Sequence, residues 1–239
     1  MNKLDIKGVI FDFGGTLDTR GDHWSEVLWK GYQHFHVSVE KEDFRSAYVY
    51  GERTLATHPI IQPDFHFIDV LREKNKLQLS YLVEHQKLHL NDMEVVDLAM
   101  RMAQYENELT NEVLEESRSV LEYLKDKYPM VLVSNFYGNI ETVLRDAHID
   151  SYFKRVIESA VVGVRKPNPA IFALGVCALD LPASQVVVVG DTFNKDIAPA
   201  HALGCHTVWI KGLQWEEKQY DETLPDGIIS RISELKKYL

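Results

Sequence analysis

Three apolar runs interrupt an otherwise mixed chain: Val9-Ile10-Phe11, Met130 to Val133, and Val186 to Val189. Short runs rich in β-branched residues, without polar alternation, read as parallel strands buried on both faces. Each leads directly into residues that carry chemistry. Asp12-Phe13-Gly14-Gly15-Thr16 follows the first, Ser134-Asn135 the second, and Gly190-Asp191-Thr192 with Asp196 the third. Arg165-Lys166-Pro167 forms a fourth such segment. Ligands of open α/β sheets bind at the carboxyl ends of the strands, so Asp12, Ser134 and Asp191 are predicted to gather at one sheet edge.

After Thr16 the pattern becomes helical. Ser25–His36, Glu40–Thr57, Asp64–Lys76 and Asp92–Leu109 carry apolar residues at helical spacing, with Phe67, Ile68, Leu71 and Asn75 marking one amphipathic face. His58-Pro59 and Gln62-Pro63 punctuate the tract, because a residue before proline is pushed out of the α region. From Ser117 onward helix and strand alternate: helix to Lys127, strand 130–133, helix 139–147, strand near 155–158, helix 168–179, strand 186–190, helix 194–203 and strand 206–210. Such alternation implies β-α-β crossovers and a parallel sheet. The expected architecture is a Rossmann-like doubly wound α/β core of residues 1–17 plus 108–239, with residues 18–107 inserted as an α-helical cap. Ile228, Ile229, Ile232 and Leu235 are expected to form a packing face at the C-terminal end.

Composition narrows the partners. A net charge of −10 argues against a nucleic-acid or anionic-membrane surface, which needs a basic face. It leaves room for a small phosphate, because one local cation can dominate a pocket. No apolar stretch approaches the length that spans a bilayer, the N-terminus does not read as a signal peptide, and two cysteines suit a reduced, cytoplasmic protein. His85 and His89 stand four residues apart, as a two-histidine metal pair would, but without a third ligand nearby they read as surface residues.

The four chemical segments, in this order, resemble the haloacid dehalogenase (HAD) superfamily, most of whose members are Mg²⁺-dependent phosphatases. The resemblance covers residues 1–17 and roughly 108–239. The helical insertion resembles the family's small cap, since only 31 residues lie between Ser134 and Lys166, too few for the alternative cap. It implies a small phosphorylated substrate and gives each segment a role. Asp12 matches the nucleophile, which forms an aspartyl-phosphate that water hydrolyses. Asp12, the Gly14 carbonyl, Asp191 and Asp196 match the Mg²⁺ site, a hard cation suiting carboxylates and phosphate oxygens. Ser134 matches the hydroxyl that donates to the phosphoryl group, and Lys166 the cation that draws charge off its oxygens. Gly15 and Thr16 are expected to turn backbone N–H groups toward the phosphate. Asn135 is read either as a substrate contact or as the closure of its own strand-to-helix turn.

Gly14 departs from the pattern. Two residues after the nucleophile, most family phosphatases carry an aspartate that protonates the leaving group and later activates water. Losing a general acid–base typically costs a factor of roughly 10² to 10⁴, so Gly14 bears on turnover, whereas its carbonyl is still available to a metal. Asp18, Arg20, Asp22 and His23 follow closely, and each reads most simply as part of a solvated hinge. His23 and Asp22 are also the candidates to replace the missing acid. Other readings stay open beside the phosphatase. Dehalogenation by the same aspartate needs no metal, so the Asp191 and Asp196 pair argues against it. Phosphonate hydrolysis would use a cap lysine, for which Lys30, Lys41, Lys74, Lys76 and Lys87 are available. A phosphate-binding regulatory protein with impaired turnover is the reading outside enzymes.

Overall fold

The computed structural model describes residues 5–215 and 218–239. Residues 1–4 and 216–217, which the expected core includes, lie outside the described residues. The chain opens with strand β1 (Gly8–Phe11) and then runs through four helices, α1 (Trp24–His34), α2 (Lys41–Thr57), α3 (Phe67–Glu84) and α4 (Asp92–Leu124). Strand β2 (Met130–Ser134), helix α5 (Ile140–Asp146), strand β3 (Arg155–Glu158), the short helix α6 (Ser159–Val162) and helix α7 (Ala170–Leu179) follow. Strand β4 (Val186–Gly190), a π-helical turn (Phe193–Ile197), helix α8 (Ala198–Ala202), strands β5 (His206–Ile210) and β6 (Gly227–Ile229), and a 3₁₀ segment (Ile232–Lys237) complete the chain.

Six strands form one parallel sheet in the order β3-β2-β1-β4-β5-β6. Strand order reverses between β1 and β4, and at such a switch point a crevice opens beyond the carboxyl ends of the strands. Pleat alternation divides the core. Val9 and Phe11 pack on one face with Leu132, Val187 and Val189, while Ile10 packs on the other with Val131, Val133, Phe172 and Val188. The first face is continuous with the apolar sides of α1 to α4 through Phe13, Leu17 and Leu28.

The structure departs from the sequence pattern in three places. The helix expected at Asp92–Leu109 and the one expected from Ser117 onward are a single 33-residue helix, α4. Its buried series continues without a break through Glu106, Thr110, Val113, Leu114, Ser117 and Leu121. Position 107 therefore falls inside a helix. At its start, the Asn91 side chain accepts from the Met93 and Glu94 N–H groups at 3.0 Å each. Helix α3 starts at Phe67 and runs to Glu84, longer than Asp64–Lys76. The C-terminal packing face is built from a strand and a 3₁₀ segment, with Ile229 of β6 and Ile232 and Leu235 of the 3₁₀ segment buried in one core cluster, while alternation turns Ile228 to another. The Asp226 carboxylate fixes that strand start by accepting from Thr207 N at 2.9 Å.

Candidate active site

Register places the chemistry. Phe11 pairs with Val189 and with Leu132, so Asp12 emerges beside the ends of β4 and β2. Its N–H donates to Val189 O at 3.0 Å, continuing the ladder by one residue. Lys166 Nζ donates to Asp12 Oδ1 at 2.5 Å and to Asp196 Oδ1 at 2.7 Å. The second Asp12 oxygen accepts from the Thr16 hydroxyl at 3.1 Å. Asp196 Oδ2 accepts from Thr192 N, and Asp191 Oδ2 from the Thr192 hydroxyl, each at 3.0 Å. Trp209 Nε1 donates to the Asp191 carbonyl at 2.6 Å, holding the turn after β4 against β5. Ser134, at the end of β2, is buried and lines the same cleft.

Carboxylate oxygens of Asp12, Asp191 and Asp196 lie within 4.8 Å of one another, and all three side chains are buried. Three carboxylates against one ammonium leave a buried excess of negative charge. Burial raises the Asp12 pKa and Asp196 raises it further, against the pull of Lys166. Burial, then Asp196 and Asp12, push Asp191 well above the ordinary carboxylate range. For Lys166, burial works to lower the pKa, but Asp12 and Asp196 outweigh it and hold the ammonium protonated. Asp191 Oδ1 is buried without a hydrogen-bond partner. An orphaned oxygen within a cluster of acids is the donor set that a hard divalent cation takes, so these residues fit a metal.

Two glycines let the acids approach. Gly15 has φ +101°, and a Cβ there would run into the Asp191 carboxylate. A Cβ on Gly190 would meet that of Asp196. The expected phosphate-facing N–H groups need correcting, however. Gly15 N donates to Asp18 Oδ1 at 2.7 Å and Thr16 N to Phe13 O at 3.1 Å, so both are committed within the loop. The turn is closed by its own aspartate, and neither group is open to a phosphate. Asn135 clamps the lysine loop, its Nδ2 donating to Lys166 O at 3.1 Å and its Oδ1 accepting from Lys166 N at 2.9 Å. The Asn135 side chain also lines the cleft.

Around Gly14 the cleft wall is the Trp24 indole. A Cβ at position 14 would stand 3.5 Å from Trp24 Nε1, an ordinary van der Waals contact. That Nε1 donates to Asp18 Oδ2 at 3.0 Å. Asp18 is itself buried, and burial pushes its pKa up to about 8. The hinge residues separate in role. Asp22 is held by Lys30 at 2.7 Å and by Leu213 N at 2.9 Å, and Arg20 by Glu116 at 3.0 Å. His23 reaches the cleft, but its Nδ1 accepts from Ser25 N at 3.2 Å and caps α1. Burial lowers its pKa to about 4, so near neutral pH it carries no acidic proton to give. His85 caps the end of α3, and neither it nor His89 joins a metal-ligating group among the described residues.

The cleft has a volume of about 840 Å³ and extends from the acids to the inserted helices. On the wall formed by the inserted helices stands a cluster of which sequence reasoning named only Lys74, as one of five lysines. Lys74, on α3, pairs with Glu52, on α2, at 2.7 Å, and the Tyr137 hydroxyl donates to Glu52 at 2.8 Å. Of the five inserted lysines named above, only Lys74 lines the cleft. One signal for it was available: a charge on the apolar face of α3, one turn after Leu71. No helix among the described residues is long and apolar enough to cross a membrane.

Residues 6–204 match the family described as haloacid dehalogenase-like hydrolase. The chain is similar to haloacid dehalogenase-like hydrolase domain-containing protein 3 of Danio rerio, 32% identical over 104 residues, 44% of this chain and 43% of that protein. It is also similar to glyceraldehyde 3-phosphate phosphatase of Pyrococcus abyssi, 41% identical over 71 residues, 30% of this chain and 29% of that one. The matched segments thus span less than half of either relative. A dehalogenase crystal structure with an intermediate complex superposes with a TM-score of 0.65 at 18% identity, covering 99% of this chain and 98% of its own, a likeness of fold. With the family match extending over most of its length, the chain belongs to the haloacid dehalogenase-like hydrolase family.

Proposed function

We propose that the protein is a Mg²⁺-dependent phosphatase that hydrolyses a small phosphorylated metabolite through a covalent intermediate on Asp12. One observation carries the reading: a carboxylate at the sheet's switch point, bonded to Lys166 at 2.5 Å and grouped with two further buried acids. Asp12, the Gly14 carbonyl, Asp191 and Asp196 would hold Mg²⁺, and the ion would neutralise charge between the acids and the phosphoryl oxygens. Lys166 keeps Asp12 ionised and takes part of the phosphoryl charge. One Asp12 oxygen attacks phosphorus as the bond to the leaving oxygen breaks, giving an acyl phosphate. Water then hydrolyses that intermediate, releasing inorganic phosphate and restoring the carboxylate. Ser134 donates to the phosphoryl group, while Gly15, Thr16 and Asn135 shape the site from the turns that hold Asp12 and Lys166. Residues 18–107 act as a cap that closes over the cleft and excludes water, while residues 1–17 and 108–239 supply the chemistry.

The similarity to a glyceraldehyde 3-phosphate phosphatase supports a phosphate ester as substrate. Phosphonate cleavage through a cap amine is less well supported. Glu52 holds Lys74 as an ammonium against the opposing effect of burial, and an ammonium is not a nucleophile. The test is release of inorganic phosphate from a panel of phosphate esters, with and without Mg²⁺. Metal-dependent release is expected. Release indifferent to metal contradicts the Mg²⁺ site, and no release from any ester favours a phosphate-binding regulatory protein.

A further inference from the structure

On the wall of the cleft formed by the inserted helices, the Lys74 ammonium is paired with the Glu52 carboxylate, and we infer that this pair selects the leaving group. It favours neutral, hydroxyl-bearing groups over groups with a carboxylate or a second phosphate. The inference rests on the phosphatase reading and names the substrate class of that same cleft.

Lys74 has a side chain only 8% exposed and Glu52 one 30% exposed, with Nζ and Oε1 2.7 Å apart. The Lys74 ammonium lies 5.8 Å from the ring centre of Trp24 and 5.1 Å from that of Tyr137. The ammonium has three donors and stands as an ion pair against Glu52 Oε1, a buried oxygen that accepts no hydrogen bond, while Glu52 Oε2 accepts from the Tyr137 hydroxyl. A donor and an acceptor therefore stand side by side, in a part of the cleft otherwise walled by Trp24, Phe67, Phe136 and Tyr137.

A hydroxyl donates and accepts at once, so it bonds to both partners without separating them. A carboxylate set against Lys74 would bring its charge beside Glu52. Drawing Lys74 away would leave Glu52 as a partly buried, unpaired charge, which is strongly unfavourable. The aromatic faces meet the C–H groups of a polyol or ring. A cleft of 840 Å³ also lies within the range of small-molecule sites. Arg53, Arg165 and Lys195 are exposed residues lining the same cleft. In a chain of net charge −10 they draw the phosphate dianion inward. A preference for doubly anionic substrates would act through them instead.

Binding separates these readings without turnover. Calorimetry on the Mg²⁺-loaded wild type would compare 3,4-dihydroxybutylphosphonate with 3-phosphonopropionate, whose C–P bonds resist hydrolysis. The hydroxylated probe should bind about tenfold more tightly, the worth of one well-made hydrogen bond. Glu52→Gln keeps the shape but leaves Lys74 unopposed, and should reverse the order. In Glu52→Gln/Lys74→Gln, which carries no buried charge, the preference should fall to less than about threefold. Equal or tighter wild-type binding of phosphonopropionate overturns the inference. So does a ratio that Glu52→Gln leaves unchanged, and the wild-type ratio decides alone if neither variant folds. Failure of both probes to bind the wild type would instead overturn the phosphatase reading itself.

Discussion

At the core end of the cleft, three carboxylates and one ammonium crowd into turns at the ends of β1 and β4 and the lysine loop, whereas at the cap end one carboxylate faces one ammonium between aromatic walls. The first cluster has an excess of buried negative charge, and it fits a cation and a phosphoryl group. In the second, Glu52 and Lys74 offset one another, which is the basis of the proposed preference for a leaving group without further charge. Their supports also differ. Asp12 is fixed by strand register, and the Asp191 and Asp196 side chains lie so close to Gly15 and Gly190 that neither glycine admits a side chain. Lys74 and Glu52 sit on α3 and α2 and are tied to the core by the Tyr137 hydroxyl. The acids are thus held by the sheet and its turns, and the Lys74–Glu52 pair by two of the inserted helices.

The largest expected effect lies at the core end. Asp12→Asn removes the proposed nucleophile and should lower phosphate release on the order of 10⁴-fold or more on every ester. Asp191→Asn should weaken Mg²⁺ binding measured calorimetrically and reduce activity with it. Mg²⁺ binding unchanged by that substitution would remove Asp191 from the metal site.

Gly14→Asp comes next. The new Cβ has room beside Trp24 at 3.5 Å, but its carboxylate would compete with Asp18 for the indole N–H. Activity on alkyl phosphates should rise by at most roughly 10² to 10⁴, and on aryl phosphates by less. An equal gain on both classes would show that the new carboxylate does not act as the acid.

The smallest effect separates His23 from both ends. Its folded pKa near 4 lies below the usual 6.5 because burial disfavours the charged ring. Between pH 6.5 and 4 the unfolded chain binds the extra proton, so stability rises with pH across that window and is lost as pH falls through it. The loss is on the order of 3 kcal/mol. His23→Asn keeps an acceptor for the α1 cap and removes the titration, so its stability should be flatter from pH 7 to 4 in denaturant melts. Parallel acid limbs would mean that His23 is not held neutral by the fold.

The two ends were not equally legible in the sequence. Strand runs ending in Asp12, Ser134 and Asp191 placed the core site, because parallel strands carry their pattern locally and align their carboxyl ends. The Glu52–Lys74–Tyr137 cluster comes from two helices and a core loop, and no spacing along the chain brings them together. Asp18 looked like a hinge residue because its role lies in closing the Gly15 turn and receiving Trp24, contacts that no motif announces. The continuity of α4 was hidden by its polar stretch near residues 115–118, which tertiary packing carries through as helix. β6, of three residues, is too short for periodicity to reveal.

One measurement bears most directly on a phosphatase that works without an acid at position 14. It is the dependence of wild-type kcat/KM on leaving-group pKa, across nitrophenyl, phenyl and alkyl phosphates at saturating Mg²⁺. With Gly14 unable to protonate the departing oxygen and His23 neutral, the rate should fall steeply as leaving-group pKa rises, and aryl esters should far outpace alkyl ones. A flat plot, with ethyl and nitrophenyl phosphate hydrolysed equally well, would mean that another group in the cleft supplies the proton.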